Sequence, residues 1–265
     1  MALDLMAPGS PAVATSSGVL PAFADLPIGP IDAAAVKAHH IVGFESRNLE
    51  ARPFNLLRTQ VAKKCEQSEW SLIGLTSAEP GAGKSFVALN LAAALSRIGK
   101  RPVYLFDFDF SRATIAKAFG VEPAVGLSDF LAGRVDNLDG IGWRVEGTGL
   151  AVFPTARAES SSAPLLSGPR FKALIDMIRK RHEPSLIICD LPPAFANDDA
   201  MIAVQHLDAY LLVVESGRTT KSQLADTVAM LDPAPRLGTV LNRYDGGFAD
   251  PYGYGAYSSN YSKYY

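Results

Sequence analysis

Between residues 71 and 243 the chain alternates two hydrophobic patterns. One is the short, almost wholly apolar run: "SLIGLTS" from Ser71, "PVYLFDFD" from Pro102, "GLAVFPT" from Gly149, "SLIICDLPP" from Ser185, "DAYLLVVES" from Asp208 and "RLGTVLNR" from Arg236. Such runs, lacking polar alternation, predict strands covered on both faces. The other is a recurrence of apolar residues every three or four positions. It predicts helices at "KSFVALNLAAALSRIG" (ending at Gly99), "ATIAKAFG", "GLSDFLAG", "PRFKALIDMIRKRH" and "KSQLADTVAML". A further short helix is predicted at "FNLLRTQVAKKC", where Phe54, Leu57 and Val61 share a face. Buried strands alternating with helices predict a doubly wound α/β domain with a mostly parallel sheet. Ligands of such a sheet sit at the carboxyl ends of its strands.

The ends lack either period. Residues 1–40 are rich in Ala, Pro, Gly and Ser, with prolines at 8, 11, 21, 27 and 30, which predicts a flexible arm. The folded domain is expected over 41–246 and a flexible tail over 247–265. That tail carries Tyr252, Tyr254, Tyr257, Tyr261, Tyr264 and Tyr265, six of the nine tyrosines in the chain.

Composition narrows the function classes. A chain of 265 residues that is 48% hydrophobic and 20% charged suits one globular domain with flexible ends. The net charge of -2 gives no general attraction to nucleic acid or to an anionic membrane. Cys65 and Cys189 lack metal-type spacing and make no disulfide framework, and Cys189, inside "LIIC", is expected to pack as a small hydrophobe. No apolar run reaches transmembrane length, and no secretory signal is expected in "MALDLMAPGSPAVATSS", which lacks a basic stretch and a continuous apolar core. A cytoplasmic location is expected, with membrane association only through a partner.

"TSAEPGAGKS" joins the first predicted strand of this series to its first long helix. A nucleoside triphosphate needs a bend of backbone N–H groups, a cation and a hydroxyl for Mg²⁺. Gly81 and Gly83 permit the bend, Lys84 is placed for the β- and γ-phosphates, and Ser85 for Mg²⁺. The expected nucleotide contacts are Pro80, Gly81, Ala82, Gly83, Lys84, Ser85 and Phe86. Ala78 stands where the usual pattern has its first glycine. Asp107 and Asp109 end one apolar strand and Asp190 ends another. Carboxylates at two strand ends beside a phosphate loop predict a Mg²⁺ and base cluster, with Ser85, Asp107 and Asp190 at the metal and Lys84, Asp107, Asp109 and Asp190 as catalytic candidates.

"TSAEPGAGKS", "LFDFDFSR" and "LIICDLPPAFANDDA", in this order and followed by a tyrosine cluster, resemble the Walker A, A′ and B elements of the bacterial tyrosine kinases of capsule and exopolysaccharide assembly. These belong to the P-loop superfamily that includes the MinD/ParA ATPases. The resemblance covers about residues 50–265, and "GLSDFLAG" and "GTVLNR" look like family segments too. It implies Mg·ATP-dependent autophosphorylation of the six tail tyrosines, between neighbouring subunits, and regulation of polysaccharide polymerisation and export. It also implies a membrane-anchored chain-length or activator protein, a tyrosine phosphatase, a homo-oligomer, and Asn242 and Arg243 near the adenine. Two departures stand out. Where the family's ring-forming helix reads E-x-x-R-x-x-R, this chain has "RPFNLLR", with Arg52 for the acid, Asn55 for the first arginine, and Arg58 retained. In the A′ element Ser111 replaces a first arginine and leaves Arg112.

Two other functions fit the same elements. A MinD/ParA-like positioning ATPase would carry a second lysine five residues before Lys84, where this chain has Glu79. An ATP-binding scaffold of an export complex would explain the altered ring helix. His39 and His40 are expected in solvent, Trp70 and Trp143 in packing, and "KRHEP" at a solvated helix end.

Overall fold

The computed structural model describes residues 18–244 apart from Pro30 and Lys100. Its sheet contains β1 (Ile28–Gly29), β2 (Leu72–Ser77), β3 (Val103–Asp107), β4 (Trp143–Val145), β5 (Leu150–Phe153), β6 (Leu186–Asp190), β7 (Ala209–Glu215) and β8 (Arg236–Asn242). They lie in the order β1-β4-β5-β3-β6-β2-β7-β8, and every neighbouring pair is parallel except β4 with β5. The helices are α1 (Ala33–Ala38), α2 (Arg52–Gln67), α3 (Lys84–Ser96), α4 (Ile115–Ala118), α5 (Leu127–Leu131), α6 (Ala163–Leu166), α7 (Pro169–Arg179), α8 (Asp199–Val204) and α9 (Lys221–Leu231). The doubly wound sheet expected from the hydrophobic runs is therefore present.

Successive side chains of a strand point to opposite faces, and the apolar runs feed two cores accordingly. Val103, Leu105, Leu186, Ile188, Leu211 and Val213 face a core closed by α2, α3 and α4. Tyr104, Phe106, Ile187, Cys189, Tyr210 and Leu212 face the other, closed by helices α5 to α9. Cys189 is a small core hydrophobe there, as its apolar surroundings predict. The antiparallel β4 was not legible as a strand, because "WRV" is only three residues long.

Part of the expected arm is corrected by the structure. Leu20 and Leu26 are 2% and 4% exposed, inside the second core. Glu183 accepts hydrogen bonds from the Phe23 amide at 2.6 Å and the Tyr104 hydroxyl at 2.7 Å. That carboxylate belongs to "KRHEP", which is accordingly more than a solvated helix end. Farther along, β1 pairs with β4, and Asp32 caps α1 by accepting from the Ala34 amide at 2.7 Å. Helix α1 then lies on α4, where Gly120 leaves room: a Cβ there would stand 2.6 Å from that of Asp32. A few isolated anchors do this work, and they are too sparse to make a hydrophobic period. Residues 1–17 of the expected arm, and 245–265 with the tyrosine cluster, lie outside the described residues.

Candidate nucleotide site

The loop after β2 is bent by two glycines in the left-handed region, Gly81 at φ 92° and Gly83 at φ 88°. A Cβ on Gly83 would collide with the Asn242 side-chain amide, which donates to the Ala82 carbonyl at 2.8 Å. The end of β8 thus braces the loop. Ala78 is not among the residues with positive φ, so a methyl group fits where the usual pattern has glycine. It is buried, and its carbonyl accepts from the Phe195 amide at 3.0 Å. Lys84 opens α3, whose thirteen residues turn their amino-terminal dipole on the loop.

Asp107 and Asp190 are register partners at the carboxyl ends of β3 and β6. Beyond the strand end, Asp109 reaches Lys84: Nζ donates to Asp109 Oδ2 at 2.6 Å, to Asp190 Oδ1 at 3.4 Å and to Ser85 Oγ at 3.2 Å. All three carboxylates are at most 1% exposed. Strand periodicity would place Asp107 and Asp109 alike, yet β3 ends at Asp107 and the two diverge. The Asp107 oxygens accept from the Asp109 and Ile115 amides, each at 3.3 Å.

Burial is the main cause that pushes the Asp107 carboxyl well above the usual carboxylate range, and neighbouring Asp190 adds to it. Burial likewise raises Asp190, against the opposing effects of Lys84 and of a hydrogen bond with Ser85. For Lys84, burial alone would depress the ammonium; the charges of Asp190, Asp109 and Asp107 outweigh it and hold the group above its ordinary value. Asp190 Oδ2 and Asp109 Oδ1 are buried without a hydrogen-bond partner.

Two cavities meet at the loop and share Gly83 and Phe86. One, of about 270 Å³, is lined by Gly81, Gly83, Lys84 and Ser85 from the loop and the start of α3, and by His39, Arg112, Thr114 and Lys117 from the end of α1 and from α4 and the segment before it. The second, of about 510 Å³, lies among His40, Val42, Glu50, Phe54, Phe86, Asn242 and Arg243. The first has the size and glycine-lined wall for a triphosphate; the second, with the edge-to-face pair Phe54–Phe86 at 5.5 Å, has the apolar wall for a base. Pro80 stands exposed at the loop tip, and Ala82 is buried behind it.

Sequence reasoning missed several residues of this region. His39 and His40 are exposed as expected but line the two cavities, because Asn90 of α3 ties down the segment that carries them. Its side chain accepts from the Gly43 amide at 2.9 Å and donates to the His40 carbonyl at 3.1 Å. Glu215, 8% exposed at the end of β7, pairs with Arg243 at 2.8 Å and Arg218 at 3.6 Å. A carboxylate closing the apolar run "YLLVVE" was the available signal, the same one that marked Asp107 and Asp190. In the altered ring helix, Asn55 accepts from Arg97 within the chain, and Arg58 donates to the Ala94 carbonyl at 3.3 Å.

A glycine-bent loop between a buried strand and a long helix, with its lysine set among strand-end carboxylates, defines a P-loop nucleotide-binding protein. The family of the CobQ/CobB/MinD/ParA nucleotide binding domain matches residues 73–252, and the chain belongs to it. Proteins named as bacterial tyrosine kinases are among its relatives in sequence and in structure. It is 33% identical over 210 residues to the putative tyrosine-protein kinase EpsB of Ralstonia solanacearum, covering 78% of this chain and 27% of that protein. Tyrosine-protein kinase YwqD of Bacillus subtilis is 29% identical over 219 residues, covering 82% of this chain and 91% of its own. In three dimensions the kinase domain of Escherichia coli tyrosine kinase ETK superposes with a TM-score of 0.67 at 27% identity, over 72% of this chain and 74% of that one. Among the described residues, no helix is long and apolar enough to cross a membrane.

Proposed function

We propose that this chain is a Mg·ATP-dependent protein-tyrosine kinase that phosphorylates its own cluster Tyr252, Tyr254, Tyr257, Tyr261, Tyr264 and Tyr265, between neighbouring copies. The observation that carries the reading is Lys84, held beside three buried carboxylates at the mouth of a phosphate-sized cavity. Its likeness to proteins named tyrosine kinases supports the choice of acceptor.

Phosphoryl transfer needs charge neutralisation and in-line positioning more than covalent chemistry. The loop amides and Lys84 would hold the phosphates, Asn242 and Arg243 the base end. Among the described residues no group of three or more His, Cys, Asp or Glu side chains could hold a metal by itself. The partnerless Oδ2 of Asp190, a carboxylate that also bonds Ser85, nevertheless suits a cation shared with phosphate oxygens. Ser85, Asp107 and Asp190 would hold Mg²⁺, which neutralises developing phosphate charge. Asp107, whose proton affinity is raised by burial, is the candidate base for the phenol, with Asp109 and Asp190 assisting.

In this reading the chain works at the inner membrane through a membrane-anchored activator of polysaccharide export and is reset by a tyrosine phosphatase. A positioning-ATPase role is disfavoured by Glu79, whose side chain accepts from Gln223 Nε2 at 2.7 Å where a second lysine would be needed. A mixing experiment tests the proposal. Lys84→Met chains, carrying the tail, are incubated in Mg·ATP with chains lacking residues 251–265. Phosphotyrosine on the Lys84→Met tail is expected; full ATP binding without any label, even with the activator's cytoplasmic segment added, overturns it.

A further inference from the structure

The cavity that faces Lys84 has a second wall that the nucleotide reading does not use. Lys117 comes from α4, Arg112 and Thr114 from the segment before it, and His39 from the end of α1. The packing of α1 on α4 brings His39 to this wall, through Gly120 and the Asp32 amide, which donates to the Phe119 carbonyl at 3.0 Å. Among the described residues no carboxylate lines the cavity: Asp107 and Asp190 are buried, and Asp109 is bonded to Lys84. Among the described residues, the side chains of His39, Arg112 and Lys117 enter no hydrogen bond or ion pair, whereas Arg218 and Arg243 share Glu215. Thr114 Oγ1 is buried and also lacks a partner. A buried, unpartnered hydroxyl that lines one cavity with the exposed, unpaired side chains of His39, Arg112 and Lys117 suits an anion.

The nucleotide's own phosphates have Lys84, the loop amides and the dipole of α3 on the first wall. A second anion is therefore the ligand this wall fits. We propose that Lys117 and His39, supported by Arg112, bind the aryl phosphate of a tyrosine already phosphorylated near the acceptor phenol. The proposal rests on the kinase reading given above. Each tail tyrosine has another within four residues in the sequence, as at Tyr257 and Tyr261 or Tyr261 and Tyr264. Four extended residues reach about 13 Å, so a modified neighbour can stand at the cavity mouth while the next phenol enters. A phosphotyrosine brings about −1.5 to −2 charges, which buried carboxylates would repel without compensating cations. The rim would thus favour acceptors that are already partly phosphorylated and carry modification along the cluster.

The test is binding rather than transfer. A fluorescent peptide of residues 251–265 is titrated into dephosphorylated full-length protein holding Mg²⁺ and a non-hydrolysable ATP analogue. The peptide is used unmodified and with phosphotyrosine at Tyr261. The phosphorylated form is expected to bind about fivefold tighter or more. Lys117→Ala with His39→Ala should cut that margin below about twofold, and Lys117→Glu should reverse it. Equal binding of both peptides by the wild type overturns the proposal, as does a margin that survives the variants. A matching loss of ATP-analogue affinity would assign the wall to the nucleotide and overturn it too. A preference for the phosphopeptide in a protein that labels nothing would keep the subsite and sink the kinase reading; labelling without that preference would do the reverse.

Discussion

Among the described residues Lys84 is the one cation paired with the buried carboxylates of the site, through Asp109 and Asp190, so Lys84→Met should damage the empty protein as well as its chemistry. Its Nζ lies 2.6 Å from Asp109 and 3.4 Å from Asp190, and the residue is 7% exposed. Removing one partner of a buried ion pair costs about 3–5 kcal/mol, because the remaining charge is left uncompensated. Protonation of the carboxylates relieves part of this, so about 3 kcal/mol is the expectation near pH 8. For a domain of this size that lowers Tm by about 6–12 °C. The loss should depend on pH. Asp107 and Asp190 have folded pKa values above their ordinary 3.8, so they destabilise the fold as pH rises from there through the raised values. Lys84 limits both increases, and its removal must lengthen and steepen that decline. Thermal melts without nucleotide, from pH 5 to 8, should show a gap between wild type and variant that is small at pH 5 and largest at pH 8. A gap under about 2 °C at pH 8, or one that does not change with pH, would refute the electrostatic reasoning.

Three further outcomes follow from the geometry. Gly83→Ala puts a methyl group into the Asn242 amide at φ 88°, and should abolish ATP-analogue binding in calorimetry while the chain still folds. Asn242→Ala removes the 2.8 Å bond to the Ala82 carbonyl, about 1 kcal/mol, and should weaken nucleotide binding roughly fivefold. Unchanged affinity would show that β8 does not brace the loop. Leu26→Ala, 4% exposed in the wild type, should destabilise by about 2–5 kcal/mol in denaturant melts; an effect under about 0.5 kcal/mol would mean that residues 18–29 do not belong to the folded body.

The parallel sheet was legible because β2, β3, β6 and β7 are buried on both faces, which writes uninterrupted apolar runs into the sequence. The phosphate loop was legible because its chemistry demands particular residues at fixed spacing. Ala78 looked like a defect in that spacing, yet its backbone is not left-handed and needs no glycine. What the sequence hid is what depends on folding at a distance. Leu20 and Leu26 are too isolated to form a period, and Glu183 gains its partners from residues 79 and 160 positions away. His39 and Lys117 line one cavity because α1 packs on α4 across Gly120. Asp107 and Asp109 obey strand spacing up to the point where β3 stops, which the run "VYLFDFDF" does not reveal.

The most direct test of the central claim is phosphosite mapping by mass spectrometry. Dephosphorylated wild type, Lys84→Met and the chain lacking 251–265 are each incubated in Mg·ATP with and without the activator's cytoplasmic segment. Phosphate is expected on tyrosines among Tyr252, Tyr254, Tyr257, Tyr261, Tyr264 and Tyr265 in the wild type alone. The shortened chain should bind ATP as well as the full one. Normal ATP binding with no tail phosphotyrosine under either condition would contradict the claim, and hydrolysis stimulated by DNA or lipid in its place would make the chain a positioning ATPase.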